Sequence, residues 1–446
     1  MSMFRAYDIR GIYGKDITPD IANLIGKSFG TFGNFQKISL GRDNRISSDI
    51  LHENLITGLI STGIHVMDIG IVPTPLLYFS NAIHKLDGGI MITASHNPAE
   101  FNGFKLNKSK LPFFPEEIQK IKEIIEKRKF KTEVGKVSEL DIVPDYINFH
   151  TTRFKPKRAL KVVVDSGNGT TGVIAPILLR KIGCIVYELY TKLDGAFPNH
   201  FPDPTKYENL KDLQIEVLNS SADLGIAFDG DGDRVVFIDN KGKILEGDQT
   251  LAIISRFLLK ELPNAKILMD VKCSNLIEKT INQMGGKAIY YQTGHSFIKR
   301  KIIEDKIDLA GELSGHFYFN FKYKGFDDGI HAAVRLITYL SQQSASLNDL
   351  YNDLPKAVSS PELNIKCLDE HKFKVVEELK QVLAKHYEVI DIDGVRINFP
   401  NGWGLIRGSN TEPKLVLRFE GKNKKDLDEI KKIFIEPLEE IMKKIN

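Results

Sequence analysis

Short apolar runs alternate along the chain with polar turns and helix-length segments. Three of these runs start alike, at residues 37–44, 161–168 and 266–272, where a strand-like segment enters a polar turn. Each is followed by a helix-length segment and a further apolar run, such as 65–67 or 288–291. Strands that alternate with helices are typical of α/β units. The faint repetition therefore predicts three related α/β domains, each with a sheet covered by helices.

The last part of the chain has a different pattern. After residue 360 the sequence predicts a strand, a helix ending near Lys385, three strands between residues 389 and 419, and a closing amphipathic helix. That order is typical of an α+β domain. Because 446 residues are too many for one core, we expect several domains. The predicted domains are residues 1–154, 155–247, 248–360 and 361–446.

Composition narrows the possible partners. The net charge is +3, with 42% hydrophobic and 27% charged residues, which is ordinary for a globular protein. So small a charge gives no reason to expect nucleic acid or a membrane surface as a partner. No uninterrupted apolar run is long enough to span a bilayer, and the sequence predicts no particular oligomeric state.

The cysteines and the first residues indicate the cellular compartment in which we expect the protein. The three cysteines, Cys184, Cys273 and Cys367, are scattered and lack metal-ligand spacing, so a disulfide framework is not expected. Residues 1–8 contain no apolar signal region. We therefore expect a cytoplasmic protein in a reducing compartment.

Three aspartates, Asp229, Asp231 and Asp233, directly follow the apolar run 224–228. In an extended chain alternate side chains point to the same side, so the three carboxylates can converge. Hard oxygen ligands favour magnesium, calcium or manganese. The alternative is an acidic surface turn, but strict alternation after a buried strand favours a metal site. An EF-hand is a poor fit, because its sixth and twelfth positions would be Arg234 and Asn240.

A second polar turn, 93–98, contains Ser95 and follows the apolar run 89–92. Ligands of open α/β sheets bind beyond the carboxyl ends of strands, so Ser95 is well placed as a nucleophile or phosphate carrier. Taken alone, the stretch is better explained as a Ser/Asn turn ended by Pro98. A hydrolase elbow needs glycines that are absent here. Lys105 could reach the same site or lie in solvent.

Two later turns complete the candidate chemistry. Glu312 and Ser314 alternate after the run 307–310, and a carboxylate beside a hydroxyl can hold two neighbouring sugar hydroxyls; a polar strand end explains them equally well. The segment 407–413 combines Arg407 with a glycine and three small polar side chains. Arg forks match phosphate oxygens and turn amides form anion nests, which favours phosphate binding over an incidental hairpin turn.

These motifs, in this order, resemble those of the α-D-phosphohexomutases. Thr-Ala-Ser-His-Asn-Pro, Asp-Gly-Asp-Gly-Asp-Arg, Gly-Glu-Leu-Ser-Gly-His and Arg-Gly-Ser-Asn-Thr-Glu-Pro occur one per predicted domain, and the opening 4–11 also resembles the phosphomannomutase/phosphoglucomutase branch. The resemblance covers nearly the whole chain. It implies an α/β fold: three related α/β domains with mixed sheets plus a C-terminal α+β domain, four domains around a central cleft. The domains would bear, in order, the phosphoserine, the metal, the sugar site and the phosphate site.

The resemblance also implies a role for each motif. Ser95 would carry a phosphoryl group, Lys105 and His316 match proton-transfer and substrate-orienting positions, and Glu312 and Ser314 would hold sugar hydroxyls. The implied catalytic residues are Ser95, Lys105, His316 and Arg234. One Mg²⁺ would be bound by Asp229, Asp231, Asp233 and an oxygen of phospho-Ser95. The implied substrate-binding residues are Tyr7, Arg10, Lys272, His295, Glu312, Ser314, Arg407, Ser409, Asn410 and Thr411.

The implied reaction exchanges hexose 1-phosphate and hexose 6-phosphate of mannose or glucose through a phosphoserine enzyme. Hexose 1,6-bisphosphate would be both the intermediate and the activator, and small sugar phosphates the partners. Two positions depart from the family pattern: Gln292 stands where close relatives often have Lys, and Leu313 where dual-specificity enzymes often have Met and glucosamine-phosphate mutases usually have Gln. A phosphoglucosamine mutase and a metal-dependent sugar phosphatase stay open as alternatives.

Overall fold

The computed structural model describes residues 3–5, 8–109, 111–409 and 413–445. Helices and strands alternate through the first two domains, as the hydrophobic pattern predicts. The first domain contains β1 (Ile9–Ile12), α1 (Pro19–Phe32), β2 (Lys37–Arg42), α2 (Ser48–Ile60), β3 (His65–Ile71), α3 (Thr74–His84), β4 (Gly88–Ile92), β5 (Phe101–Lys108), β6 (Leu111–Pro112), α4 (Pro115–Lys127), β7 (Lys136–Glu139) and α5 (Val143–Arg153). The second contains β8 (Lys161–Asp165), α6 (Ala175–Lys181), β9 (Ile185–Leu189), α7 (Lys211–Asn219), β10 (Leu224–Phe228), β11 (Val235–Asp239) and β12 (Ile244–Leu245).

The third domain repeats the alternation, and the fourth has the order expected from its different pattern. The third contains α8 (Gly247–Glu261), β13 (Lys266–Asp270), α9 (Asn275–Gln283), β14 (Lys287–Tyr291), α10 (His295–Asp305), β15 (Leu309–Gly311), β16 (Phe317–Phe319), α11 (Gly329–Leu340) and α12 (Leu347–Asn352). The fourth contains β17 (Val358–Ser359), β18 (Leu363–Lys366), α13 (Lys372–Leu383), β19 (Val395–Phe399), β20 (Gly402–Gly408), β21 (Lys414–Gly421) and α14 (Lys424–Ile445).

The sheets of the first three domains share one topology. Each contains a core of three parallel strands in the spatial order second, first, third, and a fourth strand that pairs antiparallel with the third. In the first sheet β7 adds a further parallel strand beside β3. The equivalent rows are β3-β2-β4-β5, β9-β8-β10-β11 and β14-β13-β15-β16. The prediction of three related α/β domains with mixed sheets is therefore confirmed.

The fourth domain is a separate α+β unit. β21 is flanked by β20 on one side and by β17 and β18 on the other, all antiparallel. Helices α13 and α14 pack on this sheet around a core that includes Leu379, Phe419 and Phe434. Arg407 was expected to follow the strand but is its next-to-last residue, because β20 continues to Gly408.

The apolar cores are distributed unevenly. One continuous cluster of buried side chains, which includes Phe79, Tyr146, Ile226 and Ile267, runs through the first three domains. The core of the fourth domain forms a cluster of its own.

Among the described helices, none combines the length and apolarity that crossing a bilayer would require.

Candidate active site

Ser95 lies in the turn that follows β4, at the carboxyl edge of the first sheet. Its φ is +52°, a left-handed conformation that costs a non-glycine residue roughly 1–2 kcal/mol. The Ser95 N–H donates to Thr93 Oγ1 at 2.8 Å, and Oγ donates to Asp229 Oδ2 at 2.8 Å. The hydroxyl of the first domain thus contacts the acidic loop of the second.

The acidic loop brings three buried carboxylates together. Asp229, Asp231 and Asp233 each offer an oxygen, and these atoms lie within 4.8 Å of one another. The predicted convergence is present, but the predicted extended chain is wrong. The loop is a turn in which the Gly232 N–H donates to the Asp229 carbonyl oxygen at 3.1 Å, with Gly232 at φ +75°. Glycine adopts this conformation without a steric penalty.

The chemistry of this cluster fits a hard divalent cation. Asp231 Oδ1 and Asp233 Oδ1 are buried and accept no hydrogen bond from the described residues. Burial, together with the charges of Asp233 and Asp231, raises the pKa of Asp229 well above its usual value. Buried oxygen acceptors that lack donors are costly, and carboxylate oxygens are the preferred ligands of Mg²⁺ and Ca²⁺.

Lys105, on β5, reaches into the same cluster. Its Nζ donates to Asp231 Oδ2 at 2.6 Å and to Asp233 Oδ2 at 2.5 Å. Burial opposes the charge, but Asp231 and Asp233 outweigh it and raise the pKa of Lys105 well above its usual value. The predicted proximity of Lys105 and Ser95 is thus present through the shared acidic loop. Thr74, which the sequence did not single out, donates to Asp231 Oδ2 at 2.6 Å.

The turn after β15 meets the acidic loop through His316. Its Nδ1 lies 3.3 Å from Glu312 Oε2 and 3.2 Å from Ser314 Oγ, and its Nε2 lies 3.3 Å from Asp233 Oδ1. Arg234 Nε is 3.4 Å from His316 Nε2. As in the acidic loop, a turn and not an extended chain gathers these groups, because the Gly315 N–H donates to the Glu312 carbonyl oxygen at 3.0 Å.

The predicted cleft residues His295 and Lys272 lie in the third domain. His295 starts α10, and its ring centroid is 6.4 Å from that of His316. Burial and the charge of Lys299 lower the pKa of His295 well below its usual value. Lys272 Nζ lies 3.4 Å from Glu362 Oε2 of the fourth domain. Lys272 therefore lies at the contact between these two domains.

Arg407 faces the third domain from the end of β20 in the fourth domain. Its Nε donates to Asp393 Oδ2 at 2.9 Å, and the same oxygen accepts the Thr293 N–H at 3.0 Å. Ser409 is buried beside it. Tyr7, Asn410 and Thr411 lie outside the described residues.

Arg10 lies on the first-domain side of the site. Its Nη1 donates to Asn97 Oδ1 at 2.6 Å and its Nη2 to Asp8 Oδ2 at 2.6 Å, so it flanks the Ser95 turn.

The contacts above join one group of predicted residues directly. That group is Ser95, Lys105, Asp229, Asp231, Asp233, Arg234, Glu312, Ser314 and His316. Lys272 and Arg407 lie apart from this group, where the third and fourth domains meet.

Several neighbours of the site escaped the sequence analysis. His96 Nδ1 lies 3.0 Å from Ser95 Oγ, and burial together with Arg234 and Arg10 lowers the pKa of His96 well below its usual value. Asp327 pairs with Lys299 at 2.6 Å and lies 3.9 Å from His316 Nε2. Adjacency to Ser95 could have indicated His96, whereas no sequence pattern links Asp327 to the other groups.

Comparison with known proteins agrees with this arrangement. The family models of phosphoglucomutase/phosphomannomutase alpha/beta/alpha domains I, II and III match residues 1–132, 144–242 and 246–358. The model of the phosphoglucomutase/phosphomannomutase C-terminal domain matches residues 362–436. The chain is 43% identical over 437 residues to the phosphomannomutase/phosphoglucomutase of Pseudomonas aeruginosa, covering 97% of this chain and 94% of that protein. It is 42% identical over 441 residues to the phosphoglucomutase of Neisseria meningitidis serogroup A, covering 97% and 95%.

A solved structure is similar over the same length. The crystal structure of a phosphoglucomutase/phosphomannomutase family protein from Burkholderia thailandensis has a TM-score of 0.94 to this fold and 37% sequence identity. The similarity covers 99% of this chain and 98% of that one. With four matched domains in order and relatives above 40% identity over nearly the full length, the chain belongs to the phosphoglucomutase/phosphomannomutase family.

Proposed function

We propose that this chain is a phosphohexomutase, an isomerase that interconverts hexose 1-phosphate and hexose 6-phosphate of mannose or glucose. The observation that carries the proposal is the contact of Ser95 Oγ with Asp229 inside a buried cluster of three carboxylates and one lysine. This arrangement supports phosphoryl transfer, which depends on positioning and charge neutralisation more than on covalent help. The names of the similar proteins from Pseudomonas and Neisseria support the same activity.

The substrate would be held at both ends. The phosphate that is not being transferred would be bound by Arg407, Ser409, Asn410 and Thr411. Among the described residues Arg407 donates its Nε to Asp393, and its two terminal nitrogens would make a bidentate contact with phosphate oxygens. Glu312 and Ser314 would hold sugar hydroxyls. The other residues proposed to line the cleft are Tyr7, Arg10, Arg234, Lys272 and His295.

In the first half-reaction a sugar hydroxyl oxygen attacks the phosphorus of phospho-Ser95. The new bond joins phosphorus to the sugar oxygen, the bond between phosphorus and Ser95 Oγ breaks, and the hydroxyl proton is passed on so that Ser95 regains its own. Lys105 and His316 are the groups proposed for proton transfer and substrate orientation. Mg²⁺ held by Asp229, Asp231, Asp233 and a phosphoserine oxygen would neutralise charge on the transferring group.

The second half-reaction is the reverse, from the other end of the sugar. The hexose 1,6-bisphosphate turns within the cleft, and Ser95 Oγ attacks its second phosphorus while the bond to the sugar oxygen breaks. The site must therefore accept the sugar in two orientations. Fixing only the distal phosphate and two hydroxyls would allow this, and movement of the fourth domain would let the intermediate turn without escaping.

Phosphorus NMR tests the proposal. The protein with Mg²⁺ and a trace of hexose 1,6-bisphosphate is incubated in turn with glucose 1-phosphate, mannose 1-phosphate and glucosamine 1-phosphate. We expect conversion of the glucose or mannose compound to its 6-phosphate without inorganic phosphate. Free phosphate as the product would instead identify a phosphatase, and exclusive conversion of the glucosamine compound a phosphoglucosamine mutase.

The role of Ser95 has its own test. Ser95→Ala removes the proposed phosphoryl carrier, so turnover is expected to fall about 10³-fold or more, while sugar phosphate binding, measured by calorimetry, persists. Ser138→Ala, on β7 of the same sheet, is the matched control and should retain wild-type turnover. Full activity of Ser95→Ala would disprove the phosphoserine role.

The acidic loop is tested through the metal requirement. Asp231→Asn should raise the magnesium concentration needed for half-maximal activity or abolish activity, because one anionic ligand is lost. Asp212→Asn, whose carboxylate contacts Tyr190 at an exposed site, is the control. An unchanged magnesium profile for Asp231→Asn would count against the loop as the cation site.

Partners and compartment follow from the same proposal. The partners would be small sugar phosphates and not nucleic acid or membrane. All three cysteines are free thiols, which supports a reducing compartment such as the cytoplasm.

A further inference from the structure

Arg45 is a buried arginine whose side-chain N–H groups all donate hydrogen bonds, most of them to the loop that contains Ser95. Nη2 donates to the carbonyl oxygens of Ser95 at 2.8 Å and Asn97 at 2.6 Å. Nη1 donates to those of Pro98 at 2.6 Å and Phe101 at 3.0 Å. Nε donates to Asp43 Oδ2 at 3.1 Å. A guanidinium has five N–H groups, so each has a partner, and four of the partners belong to one short loop.

This guanidinium fixes the backbone from which Ser95 projects. Ser95 is held at φ +52°, and such a conformation persists only when its surroundings over-determine it. Arg45 holds the Ser95 carbonyl oxygen, while the hydroxyl of the same residue donates to Asp229. The position of the hydroxyl therefore depends on the backbone contact that Arg45 makes.

Arg45 is itself held on three sides. The Asp43 carboxylate that accepts Nε also accepts the Arg45 N–H at 3.0 Å and the Ser48 hydroxyl at 2.5 Å. The ring of Phe197, from the second domain, lies 5.1 Å from the guanidinium carbon. These contacts leave the Arg45 side chain fully buried.

A direct contact with substrate is excluded by the same geometry. Phosphate recognition by arginine needs N–H groups that point at the ligand, and all those of Arg45 are engaged with backbone and Asp43. Its effect on the reaction must therefore pass through the loop.

We propose that Arg45 is a positioning residue for phosphoryl transfer, which holds the Ser95 turn in the conformation that aims Oγ at the acidic loop. The proposal rests on the phosphoserine function proposed above. Because Ser95 is the acceptor in one half-reaction and the donor in the other, both depend on the same backbone geometry. The sugar and its distal phosphate are held by other domains, so their binding does not depend on Arg45.

The discriminating variant is Arg45→Lys. An ammonium has three donors on a flexible stem and cannot satisfy four carbonyl oxygens in a planar array. Displacement of a reacting atom by about 1 Å can cost 100-fold in rate, so kcat is expected to fall about 100-fold with the KM for glucose 1-phosphate unchanged. Arg42→Lys is the matched control, since the side chain of Arg42, three residues upstream, forms an ion pair with the exposed Asp49.

Rapid-quench mass spectrometry with unphosphorylated enzyme and glucose 1,6-bisphosphate separates positioning from folding. The amplitude of phosphoserine formation counts competent molecules, and the rate constant reports the geometry of Ser95. We expect Arg45→Lys to show full amplitude with a rate constant about 100-fold lower. Reduced amplitude with an unchanged rate constant would make Arg45 a folding residue only and overturn the proposal.

Three further outcomes lead to different conclusions. If Arg45→Lys does not fold, the same measurement is made on Asp43→Asn, which keeps the guanidinium but weakens its anchor; a slower rate constant is expected, and a wild-type one would overturn the proposal. If wild-type and Arg42→Lys enzymes form phosphoserine but convert no sugar phosphate, the mutase function fails while the Arg45 comparison stands. If the wild-type enzyme forms no phosphoserine, both proposals fail.

Discussion

The first three domains meet through apolar side chains, whereas the fourth meets the third largely through charged and polar groups. In the first interface, Tyr78 of α3 packs against Phe326 of the third domain, and Phe149 of α5 against Tyr323, with ring centroids 5.5 and 5.4 Å apart. In the second, Ser274 donates to Glu420 at 2.7 Å and Arg418 pairs with Glu246. Arg396 donates to the carbonyl oxygens of Val271 and Cys273.

The difference has a consequence for motion. Separating apolar surfaces exposes them to water at a cost that grows with area, so the first three domains should move as one body. Polar groups that separate can bind water instead, and their net contribution is small. The apolar contact across the second interface among the described residues is a cluster of Val271, Trp403 and Leu405. We therefore expect the fourth domain to swing about this cluster.

The largest expected effect comes from breaking the apolar interface. Phe326→Ala leaves a cavity against Tyr78 of α3 and beside Tyr323, and should cost about 3–5 kcal/mol of stability. Hydrogen exchange should then speed up in α3 and α11 and stay unchanged in α13 and α14. The exposed Phe373 in the fourth domain provides the control, since Phe373→Ala should change stability by about 0.5 kcal/mol or less. Equal loss of protection in all four domains would refute the division.

A second prediction concerns acid. His150 is buried in the apolar interface, donates Nδ1–H to the Tyr146 carbonyl and faces His331. Burial lowers the pKa of His150 from 6.5 to about 4. The unfolded state therefore takes up a proton first, and stability that is present above pH 6.5 is lost as the pH falls towards 4, by about 3 kcal/mol.

The comparison with His150→Gln isolates this term. Asp328 nearby acts in the opposite direction, since burial raises its pKa to about 6, and the difference between the two proteins cancels its contribution. Urea unfolding at several pH values should show the wild-type advantage shrinking on acidification. His386→Gln, at an exposed site in the fourth domain, serves as control. A pH-independent difference for His150→Gln would contradict the prediction.

A third prediction concerns the contact that Arg396 makes between the third and fourth domains. Arg396 lies 4.0 Å from the centroid of Trp403 and 4.4 Å from that of Tyr290. Arg396→Lys should leave buried carbonyl oxygens unpaired and weaken the contact by about 1–3 kcal/mol. Trp403 is the only tryptophan in the chain, so acrylamide quenching of its fluorescence reports the opening directly. Quenching should increase in Arg396→Lys and stay at the wild-type level in the exposed control Arg158→Lys.

The smallest effect is expected where the fourth domain touches the first. Arg5 Nη1 lies 3.8 Å from Asp369 Oδ2, with side chains 33% and 55% exposed. Exposed pairs contribute about 0.2–1 kcal/mol. A double-mutant cycle of Arg5→Gln and Asp369→Asn, measured through KM, should therefore give a coupling of about fivefold or less. A much larger coupling would show that this pair, and not the Trp403 cluster, controls closure.

Local patterns predicted the fold well because strands and helices follow hydrophobic periodicity. The repeated order of strand, turn and helix predicted the three related domains. The geometry of the loops was less predictable. The aspartates converge through a turn at Gly232 and not through an extended strand, since alternation in sequence does not reveal the sign of φ.

The parts that sequence reasoning missed are contacts between distant segments. Arg45 was not singled out, because its importance comes from carbonyl oxygens 50 to 56 residues away. Asp393 was missed for the same reason, as it joins Arg407 to the Thr293 N–H across two domains. A single sequence shows residue types in order, and such partnerships arise only when the domains are packed.

The shared topology of the first three sheets has an evolutionary consequence. Ser95, Asp229 and Glu312 each follow the third parallel strand of their sheet, β4, β10 and β15. Copies of one ancestral unit would therefore have specialised at equivalent positions, one for carrying phosphate, one for the cation and one for the sugar. Under the proposed function each task would lie on a separate copy, so substitutions at 312–316 would alter sugar preference during divergence while the phosphate carrier and the cation ligands stay under their own selection.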